Sequence, residues 1–448
     1  MKTFGSCLLL IAISTCPDRG FAQPRTSPSL AIVRVTVIDT ATGTAASDMT
    51  VVVSGERIVS VARGGVVPAG AQVVEGRGRF LIPGLWDMHV HLSYARASAL
   101  PVFAATGVTY VRDVGSDLSE VDAWRGQISG KTITGPTILR AGPILNGQES
   151  NPYHLVIANA ADARMAARTL KKAGVDLLKT HRGTSRDAYF ALADEAKTLG
   201  LPLIGHVPMT VSPAEASDAG QQTIEHVETL FEGTFATAHN GRVLAADMAQ
   251  WRTSPEAAAL FQKFVRNGTV VDPTLIATGY LVRMMESANT DPRLRYLAAS
   301  TREMRERTLS SVPAAEKGAW SPLVHERQAV TGQMQRAGVT LVTGTDTSVL
   351  HPPGFALHDE LDLLVESGLT PAEALRAATI NCAKLFPSLD AGTIAPGRLA
   401  DLVLLDADPR TDIHNTLRIN TVVLRGHAMN RLALDRTLAG AVQLARTQ

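Results

Sequence analysis

The middle of the chain alternates between two kinds of segment, and this alternation restricts the folds that the chain can adopt. Short runs rich in β-branched residues recur, and alanine-rich stretches with helical periodicity separate them. The β-like runs are GVTYVRDVG, PTILRAGPI, VDLLKTH, LPLIGHV, QTIEHV, TVVDPTL and VTLVTGTD. With the run that ends in DMHVH they number eight, which is the count and order of a (β/α)8 barrel of the TIM type. We therefore predict an α/β fold with the barrel over residues 81–390.

The two ends of the chain have a different pattern. Residues 30–80 and 391–435 alternate apolar and polar side chains between glycine-rich turns, as the strands of a half-buried sheet do. Two β segments that bracket a long middle predict one small β-sandwich domain assembled from both ends. A polar helical stretch from Ala277 to Arg336 interrupts the barrel rhythm before the eighth strand. We expect this stretch to add helices over or beside the barrel mouth.

Residues 1–22 have the anatomy of a secretory signal peptide. Lys2 precedes the apolar run CLLLIAIS, and the small residues Gly20 and Ala22 stand before a plausible cleavage site. The run is too short to span a bilayer as a helix, and no later segment is long and apolar enough to do so. We predict export to the periplasm or the medium after cleavage. A buried N-terminal strand and lipid attachment at Cys16 are the alternative interpretations.

Charge and cysteine content exclude several classes of function. The formal net charge is +1 and no basic run with interleaved aromatic residues occurs, which excludes electrostatic capture of nucleic acid or of an anionic membrane. The chain has three cysteines, and Cys7 and Cys16 lie inside the predicted signal peptide. Cys382 would then be alone in the mature chain, so an internal disulfide is excluded. We predict that Cys382 is a small buried residue rather than a nucleophile.

Polar residues follow the predicted strands at the point where each strand ends. They are His89 and His91 on the first strand, Lys179 on the fourth, His206 on the fifth, His226 on the sixth and Asp346 on the eighth. In a barrel of this kind the carboxyl ends of the strands converge on one site. A spacing of two residues places His89 and His91 on the same face of their strand. Four imidazoles and one carboxylate suit zinc or a similar ion.

Each of these residues alone has a structural explanation. A strand-end histidine is commonly a hydrogen-bonded core residue, Lys179 can be a solvated or salt-bridged lysine, and Asp346 can cap the next helix. Six polar groups at equivalent strand ends are far rarer by accident than one His-x-His pair, and a buried cluster without compensation would be costly. The set as a whole therefore predicts a metal centre.

The sequence resembles the amidohydrolase superfamily, in particular its extracellular peptidase-like branch of prolidases and carboxypeptidases near the imidazolonepropionase-type proteins. The resemblance rests on Lys179 at its strand end and on the motifs LIPGLWDMHVH, GHVP, EHVE, TGTD, HDELDLLVESGLTPAEALRAAT and GTIAPGRLADLVLLDADP. It covers nearly all of the chain after residue 30. The motifs are specific for the superfamily and only suggestive of the substrate.

The resemblance implies a site for two Zn²⁺ ions or similar divalent metals. In the family, residues at the positions of His89, His91 and Asp346 bind one ion, and residues at the positions of His206 and His226 bind the second. A hydroxide that bridges the two metals attacks an amide carbonyl group. The residue that matches Asp346 takes the proton of this nucleophile and passes it to the leaving amine.

Lys179 separates two kinds of chemistry within the family. It matches a lysine that is carbamylated in family members and bridges the two ions. A neutral, desolvated lysine can react with carbon dioxide, and two cations stabilise the resulting anion. The mononuclear deaminases of the family manage without this lysine. Its presence therefore favours a binuclear hydrolase.

The loops after the strands are expected to select the substrate. Members of this branch of the family include dipeptidases that cleave before proline, carboxypeptidases, and enzymes that hydrolyse N-acyl amino acids such as ochratoxin. These substrates carry a carboxylate on the amine side, so we expect a cationic or hydrogen-bonding anchor for it. Arg182, Tyr153 and His154 are the candidates, and the alternative for each is a solvated loop residue.

Two stretches depart from the family pattern, and both leave the exact substrate open. THRG follows the strand-end lysine, where many relatives carry a tyrosine, and the loop NGQESNPYH is particular to this chain. A third observation concerns the end of the second strand. There we predict that Arg112 and Asp113 form a structural pair.

These observations lead to one functional prediction with two alternatives. We predict a secreted binuclear zinc amidohydrolase that acts on dipeptides, C-terminal residues or N-acyl amino acids, including ochratoxin-like amides. The first alternative is a cyclic amide hydrolase or deaminase of the imidazolonepropionase type, and the second is a non-enzymatic binding protein on the same barrel. We expect a small-molecule amide or short peptide as the partner, a homo-oligomeric state, no nucleic acid and no membrane span.

Overall fold

The structure is a computed structural model that describes residue 1 and residues 29–235, 244–277, 290–311 and 320–448. The predicted signal peptide, including Lys2, Cys7 and Cys16, lies outside the described residues apart from Met1. Export of the chain therefore stays a prediction.

Strands from both ends of the chain form one mixed sheet of eight strands. They are Ser29–Ile38, Ala45–Ser54, Arg57–Arg63, Gln72–Glu75, Phe80–Pro83, Leu402–Leu405, Ile419–Leu424 and His427–Asn430. Phe80–Pro83 joins the two ends, because it pairs parallel to Ser29–Ile38 and antiparallel to Leu402–Leu405. The alternating apolar residues, such as Leu81 and Val423, fill the core of this sheet. Both ends of the chain therefore contribute strands to one domain, as predicted, and these strands form one continuous hydrogen-bonded sheet.

Parallel strands form the barrel in the order predicted from the sequence. The first seven are Leu85–Val90, Val108–Asp113, Thr137–Arg140 continued by Ile144–Asn146, Leu178–Thr180, Leu203–Gly205, Thr223–Glu225 and Val270–Asp272. The third strand connects the two halves of the barrel, because Thr137–Arg140 pairs with the second strand and Ile144–Asn146 pairs with the fourth. A short strand, His154–Val156, pairs with Ile144–Asn146 in the loop that follows. The predicted α/β barrel class is confirmed.

The eighth barrel strand closes the barrel through single bridges rather than through a long ladder. Leu341 bridges the seventh strand at Val271, and Thr347 bridges the first strand at Val90. Between these bridges the Met88 N–H donates to the carbonyl oxygen of residue 343 at 2.8 Å. The segment 341–347 is therefore the joint at which the first and last strands of the barrel meet.

Helices separate the barrel strands and lie outside them. The α-helices of the described residues are Leu92–Ala95, Ala99–Ala105, Leu118–Ser129, Ala160–Lys172, Arg186–Leu199, Pro213–Asp218, Glu232–Phe235, Ala245–Arg252, Pro255–Asn267, Ala299–Ser310, Trp320–Arg336, Phe355–Glu366, Pro371–Ala377, Ile380–Lys384 and Arg431–Ala445, and the 3₁₀ helices are Val227–Leu230, Pro292–Tyr296, Pro387–Leu389 and Ile413–Leu417. Their ends follow local sequence signals. Ser254 caps Pro255–Asn267 by accepting a hydrogen bond from the Ala257 N–H, and Gly268 ends that helix in the left-handed conformation.

The polar stretch before the eighth strand is helical where it is described. It contains Pro292–Tyr296, Ala299–Ser310 and Trp320–Arg336. Thr301 Oγ1 donates to a carbonyl oxygen of the loop after the first barrel strand at 2.7 Å, and Arg327 pairs with Glu228 after the sixth strand at 3.0 Å. These helices therefore lie beside the barrel mouth, as predicted. The segments 278–289 and 312–319 lie outside the described residues.

Cys382 is buried in the helix Ile380–Lys384, as predicted. Its thiol donates to the Ala377 carbonyl oxygen at 2.9 Å. Burial raises the pKa of the Cys382 thiol to about 12, so the thiol stays protonated and is a poor nucleophile. Across the described residues, the structure has no helix whose length and apolar character would let it cross a membrane.

Candidate metal centre

The barrel brings the predicted strand-end residues to one end of the molecule. His89 is fully buried on the first strand, and His91 follows that strand with 12% of its side chain exposed. Both imidazoles meet the carboxylate of Asp346: Oδ1 of Asp346 lies 3.3 Å from His91 Nε2 and 3.6 Å from His89 Nε2. The first and eighth strands therefore supply a three-residue cluster at the joint where the barrel closes.

The histidines of the fifth and sixth strands form the other side of the same cluster. The ring centroids of His206 and His226 are 4.6 Å apart, and those of His226 and His89 are 4.8 Å apart. His89, His226 and Asp346 each present a ligand atom, and these atoms lie within 4.8 Å of one another. Four imidazoles and one carboxylate thus converge, although they come from strands far apart in the sequence.

The buried imidazoles have hydrogen-bonding atoms with no protein partner among the described residues. These atoms are both ring nitrogens of His89 and Nδ1 of His206. Buried polar atoms without a partner are rare and costly. Burial lowers the pKa of His89 and of His206 well below the usual value, so both rings are neutral and able to donate a lone pair to a metal ion. This donor set fits zinc or a similar borderline cation.

Two further contacts orient the ligand nitrogens. His91 Nδ1 lies 3.0 Å from the carbonyl oxygen of Gly115, which can only accept, so the Nδ1 proton of His91 is fixed and Nε2 is left facing Asp346. His226 Nδ1 lies 2.7 Å from Oγ1 of Thr274. Fixing one nitrogen of an imidazole through its other nitrogen is a common arrangement at metal sites.

Asp346 and His91 are electrostatically coupled. Burial alone would raise the pKa of Asp346, but the hydrogen bond and charge of His91 outweigh burial and hold the pKa below its usual value. Burial likewise would lower the pKa of His91, and Asp346 outweighs it and raises that pKa. The two side chains therefore stabilise each other's charged forms.

The backbone at the site is in unusual conformations. Asp346 has a φ of 55° and His226 a φ of 65°, in the left-handed region that non-glycine residues rarely adopt. Gly205, next to His206, has a φ of 121°, and a Cβ there would overlap the carbonyl oxygen of Thr180 and approach Lys179 Cδ to 2.9 Å. Such conformations are concentrated at functional sites. Glycine at position 205 allows the fifth strand to pass close to Lys179.

Lys179 lies in the floor of this site with 1% of its side chain exposed. Its Nζ forms an ion pair with Glu225, the residue before His226. The predicted pairing of Arg112 with Asp113 is wrong, because Arg112 Nη2 donates to Glu225 Oε1 at 2.9 Å. Asp113 instead accepts from the Leu92 N–H at 2.7 Å. Arg112 points into the barrel and Asp113 to the loop, because successive strand residues face opposite ways.

A cavity of about 290 Å³ opens above the cluster. Its lining includes His91, Tyr94, Ile144, Asn151, Lys179, His181, Arg182, His206, His226, Glu228, Glu232, Ala277, Asp346 and Ser348. Tyr94, Asn151 and His181 were not singled out from the sequence, although His181 lies in the THRG stretch that departs from the family pattern. Polar loop residues directly after a strand-end ligand are the signal that would have identified His181.

The three predicted substrate-binding residues lie in different settings. Arg182 lines the cavity, and its Nη2 is 3.0 Å from Glu232 Oε1. Tyr153 is not among the described residues that line the cavity, and its ring packs edge-on against Tyr94 at 4.9 Å. His154 is also outside that lining, and its Nε2 lies 2.8 Å from the Asn151 amide nitrogen. Only Arg182 of the three therefore faces the space above the cluster directly.

The fold and the site define a class of protein: a barrel hydrolase of carbon–nitrogen bonds with a histidine and aspartate cluster at the barrel mouth. The model of the Amidohydrolase family matches residues 80–429. The chain belongs to this family.

Individual relatives are more distant. An imidazolonepropionase of Idiomarina loihiensis is 24% identical over 86% of this chain and 93% of that protein. An adenine deaminase of Clostridium botulinum is 30% identical, over 28% of this chain and 20% of that protein. An imidazolonepropionase of Deinococcus deserti is 38% identical over 19% of this chain and 22% of that protein. The chain therefore spans about a fifth of the length of these last two relatives.

Solved structures share the fold over almost the whole chain. A proposed prolidase from Bifidobacterium longum superposes with a TM-score of 0.69 at 26% identity, covering 93% of this chain and 99% of that one. A bottromycin amidohydrolase superposes with a TM-score of 0.73 at 22% identity, covering 95% and 91%. The similarity therefore includes the terminal sheet as well as the barrel.

Proposed function

We propose that the protein is a binuclear metal-dependent amidohydrolase that cleaves an amide bond in dipeptides, at C-terminal residues or in N-acyl amino acids. One observation carries the proposal: His91, His206, His226 and Asp346 line one cavity, and His89 meets Asp346 beneath it. Among the described residues, both ring nitrogens of His89 and Nδ1 of His206 are buried without a hydrogen-bond partner. A cluster without a cation would leave these groups uncompensated.

The residues present fit two metal ions. His89 and His91 share Asp346 on one side of the cluster, and the rings of His206 and His226 lie 4.6 Å apart on the other. Lys179 is buried and lines the same cavity, which supports the proposal that a carbamate on this lysine would help to hold the two ions. When bound, two divalent cations would polarise the substrate carbonyl group and lower the pKa of a water molecule.

The chain's own residues then have distinct tasks. Oδ1 of Asp346 lies 3.3 Å from His91 Nε2 and 3.6 Å from His89 Nε2, so the ionised carboxylate is placed to accept the proton of a nucleophile held at the cluster. We assign it transfer of that proton to the leaving nitrogen, which is general acid–base catalysis. The buried surroundings of His89 and Lys179 strengthen the electrostatic contacts at the base of the site.

The position of Arg182 supports a substrate whose amine part carries a carboxylate. Its guanidinium lies at the cavity wall, where Glu232 holds it in place, and 44% of its side chain is exposed toward solvent. Arginine recognises carboxylates in a bidentate manner. Structural neighbours include a prolidase complexed with N-methylphosphonate-L-proline and the ochratoxinase of A. niger. As part of the proposal, we infer that the substrate of this chain also carries a carboxylate on the amine side of its amide bond.

A cyclic amide hydrolase or deaminase of the imidazolonepropionase type is the second candidate. It is favoured by curated relatives named imidazolonepropionase, such as that of Idiomarina loihiensis, which aligns over 86% of this chain. Buried Lys179 favours the binuclear amide hydrolase instead.

One activity screen distinguishes the two candidate functions. The protein is purified with zinc and bicarbonate, its metal content is measured, and it is assayed against Xaa-Pro dipeptides, N-acyl amino acids, hydantoins and nucleobases. We expect about two metal ions per chain and hydrolysis of linear amides that have a carboxylate on the amine side. Activity on the cyclic or nucleobase compounds alone, with one metal per chain, would support the second candidate. Fully loaded protein that cleaves none of them would refute both.

We also propose that residues 1–22 direct export of the chain. Support comes from the sequence pattern alone. Expression in a bacterial host, followed by fractionation and N-terminal sequencing, tests it. Cleavage after residue 22 in the exported fraction is expected, and an uncleaved cytoplasmic product would contradict the proposal.

A further inference from the structure

Two carboxylates lie beneath the predicted metal ligands, and neither was expected from the sequence. Glu225 ends the sixth barrel strand and Asp272 ends the seventh, and the two residues are paired in register. Both side chains are fully buried. Buried carboxylates are costly unless cations or hydrogen bonds compensate them. Each of the two therefore requires an explanation.

Glu225 is compensated by two cations. Its Oε1 accepts a hydrogen bond from Arg112 Nη2 at 2.9 Å, and its Oε2 forms an ion pair with Lys179. Arg112 is itself held, because its Nε donates to the Met88 carbonyl oxygen at 2.6 Å and its Nη1 to Thr223 Oγ1 at 3.0 Å. Each oxygen of Glu225 therefore has a cationic partner.

Asp272 is not compensated in the same way. Among the described residues, neither of its oxygens has a hydrogen-bond partner. Two groups are near its Oδ2: Arg112 Nη2 at 3.7 Å and His89 Nδ1 at 4.0 Å. The three hydrogen bonds of Arg112 hold its guanidinium against Met88, Thr223 and Glu225. The imidazole of His89 is the second group that faces Asp272.

His89 also lacks hydrogen-bond partners. Both of its ring nitrogens are buried without a hydrogen-bond partner among the described residues. Nε2 faces Asp346 at 3.6 Å, while Nδ1 faces Glu225 Oε2 at 3.5 Å and Asp272 Oδ2 at 4.0 Å. The ring thus has one nitrogen directed to the ligand cluster and the other directed to the buried carboxylates.

The backbone of the eighth strand leaves space for this arrangement. A Cβ at Gly344 would overlap Asp272 Oδ2 and lie 2.6 Å from His89 Cβ. Any side chain at this position would push the carboxylate and the imidazole apart. A glycine at the barrel joint therefore permits Asp272 and His89 to approach each other.

We propose that Asp272 is a positioning residue for His89: its carboxylate accepts the Nδ1 proton of His89 when Nε2 of that ring binds a divalent cation. The inference rests on the proposed metal-dependent function. A neutral imidazole carries one proton, and the group that accepts it decides which nitrogen is free as a ligand. Asp272 would thus select the tautomer that directs Nε2 to the metal, while Glu225 accepts the hydrogen bond of Arg112.

The first test measures zinc affinity rather than activity. In Asp272→Asn we expect the zinc dissociation constant, measured by competition with a chromophoric chelator, to rise by roughly 10- to 100-fold. We also expect the thermal midpoint of the metal-free variant to stay at or above that of the wild type, because a buried carboxylate without hydrogen bonds has been removed. An unchanged zinc affinity, with a lowered midpoint of the metal-free protein, would mean a merely structural role and overturn the proposal.

Glu360→Gln is the matched control. Glu360 is another fully buried carboxylate, but its oxygens accept hydrogen bonds from the N–H groups of Leu275 and Ile276 at 3.1 and 2.7 Å. Its substitution is expected to leave the zinc dissociation constant unchanged. If the wild type binds no zinc, the proposed function fails; if the wild type and Asp272→Asn bind zinc equally, only the positioning role fails.

A second measurement does not depend on whether a variant of Asp272 folds. Zinc-loaded wild-type protein with ¹⁵N-labelled histidine is examined by NMR, and the His89 signals are assigned by their loss in His89→Gln. We expect the His89 proton on Nδ1, with Nε2 bound to the metal. Zinc bound through Nδ1, with the proton on Nε2, would overturn the proposal.

Discussion

The strand ends and the loops of the barrel mouth differ in how firmly they hold their side chains. His89 and Lys179 are almost fully buried, and each faces a buried charged group. Arg182 has 44% of its side chain exposed and forms an ion pair with Glu232. The barrel fixes the strand ends, to which we assign the chemistry, whereas the loops hold their side chains less firmly, and to them we assign the choice of substrate.

The largest effect is expected at a strand end. Asp346→Asn should lower kcat by about 10²- to 10⁴-fold, because the amide cannot accept the proton that the carboxylate takes. Most of the metal should remain bound, since the histidine ligands are unchanged. Steady-state kinetics together with metal analysis check this expectation.

Asp218→Asn is the control for that experiment. Asp218 is an exposed aspartate that pairs with Lys263 on the surface, and its substitution should leave kcat unchanged. A near-normal kcat in Asp346→Asn would remove the assigned role and weaken the contrast between the strand ends and the loops.

An intermediate effect is expected in the scaffold that supports the strand ends. Burial lowers the pKa of His358 to about 4, and its neutral ring bonds with Thr416 Oγ1 at 2.8 Å and the Thr106 carbonyl oxygen at 2.9 Å. The unfolded chain takes up a proton on this residue as the pH falls below about 6.5, whereas the folded chain does not. The wild type should therefore lose up to about 3 kcal/mol of its free energy of unfolding between pH 6.5 and 4 from this group.

Urea unfolding of metal-free wild type and His358→Gln, at pH 7 and pH 4.5, measures this contribution. The advantage of the wild type over the variant should shrink at the lower pH. A difference between the two proteins that does not change with pH would contradict the assignment.

The smallest effect is expected in the loops. Arg182→Gln should raise KM for substrates with a carboxylate by about 10-fold, which corresponds to the loss of one hydrogen bond to a charged group, and should leave kcat within a factor of about two. Tyr153→Phe is the matched loop control, because Tyr153 packs behind Tyr94, and its KM should be nearly unchanged. A large fall in kcat for Arg182→Gln would show that the loop takes part in the chemistry.

The sequence was sufficient to predict the barrel and the convergence of the candidate ligands at one end of it, because both depend on local patterns. Alternating strand and helix segments predict the barrel, and each candidate ligand stands at the end of its own strand. The partner of Arg112 could not be predicted from local patterns. Its acceptor, Glu225, is 113 residues away in the sequence, and only the inward orientation of both strands brings the two together. The incorrect pairing of Arg112 with Asp113 came from sequence proximity alone.

Asp272 and the loop residues were beyond prediction for two further reasons. A single aspartate at a strand end has no partner spacing that marks it, and its importance comes from the lack of hydrogen bonds around it. Tyr153 and His154 belong to a loop whose course depends on contacts with Tyr94 and Asn151. Such contacts follow from the three-dimensional path of the loop and have no periodic signal in the sequence.

The pairing of Phe80–Pro83 with Leu402–Leu405 has a consequence for the order in which the protein is made. The strand that leads into His89 lies beside one that the ribosome adds more than three hundred residues later. Contacts between such distant segments form late, since the loop between them must first be closed. The helices of a nascent chain can form early, but the terminal sheet can be completed only after the C-terminal strands have been synthesised. Chains that end before residue 402 should therefore leave the edge of Phe80–Pro83 unpaired, and they are expected to aggregate rather than to fold into a smaller enzyme.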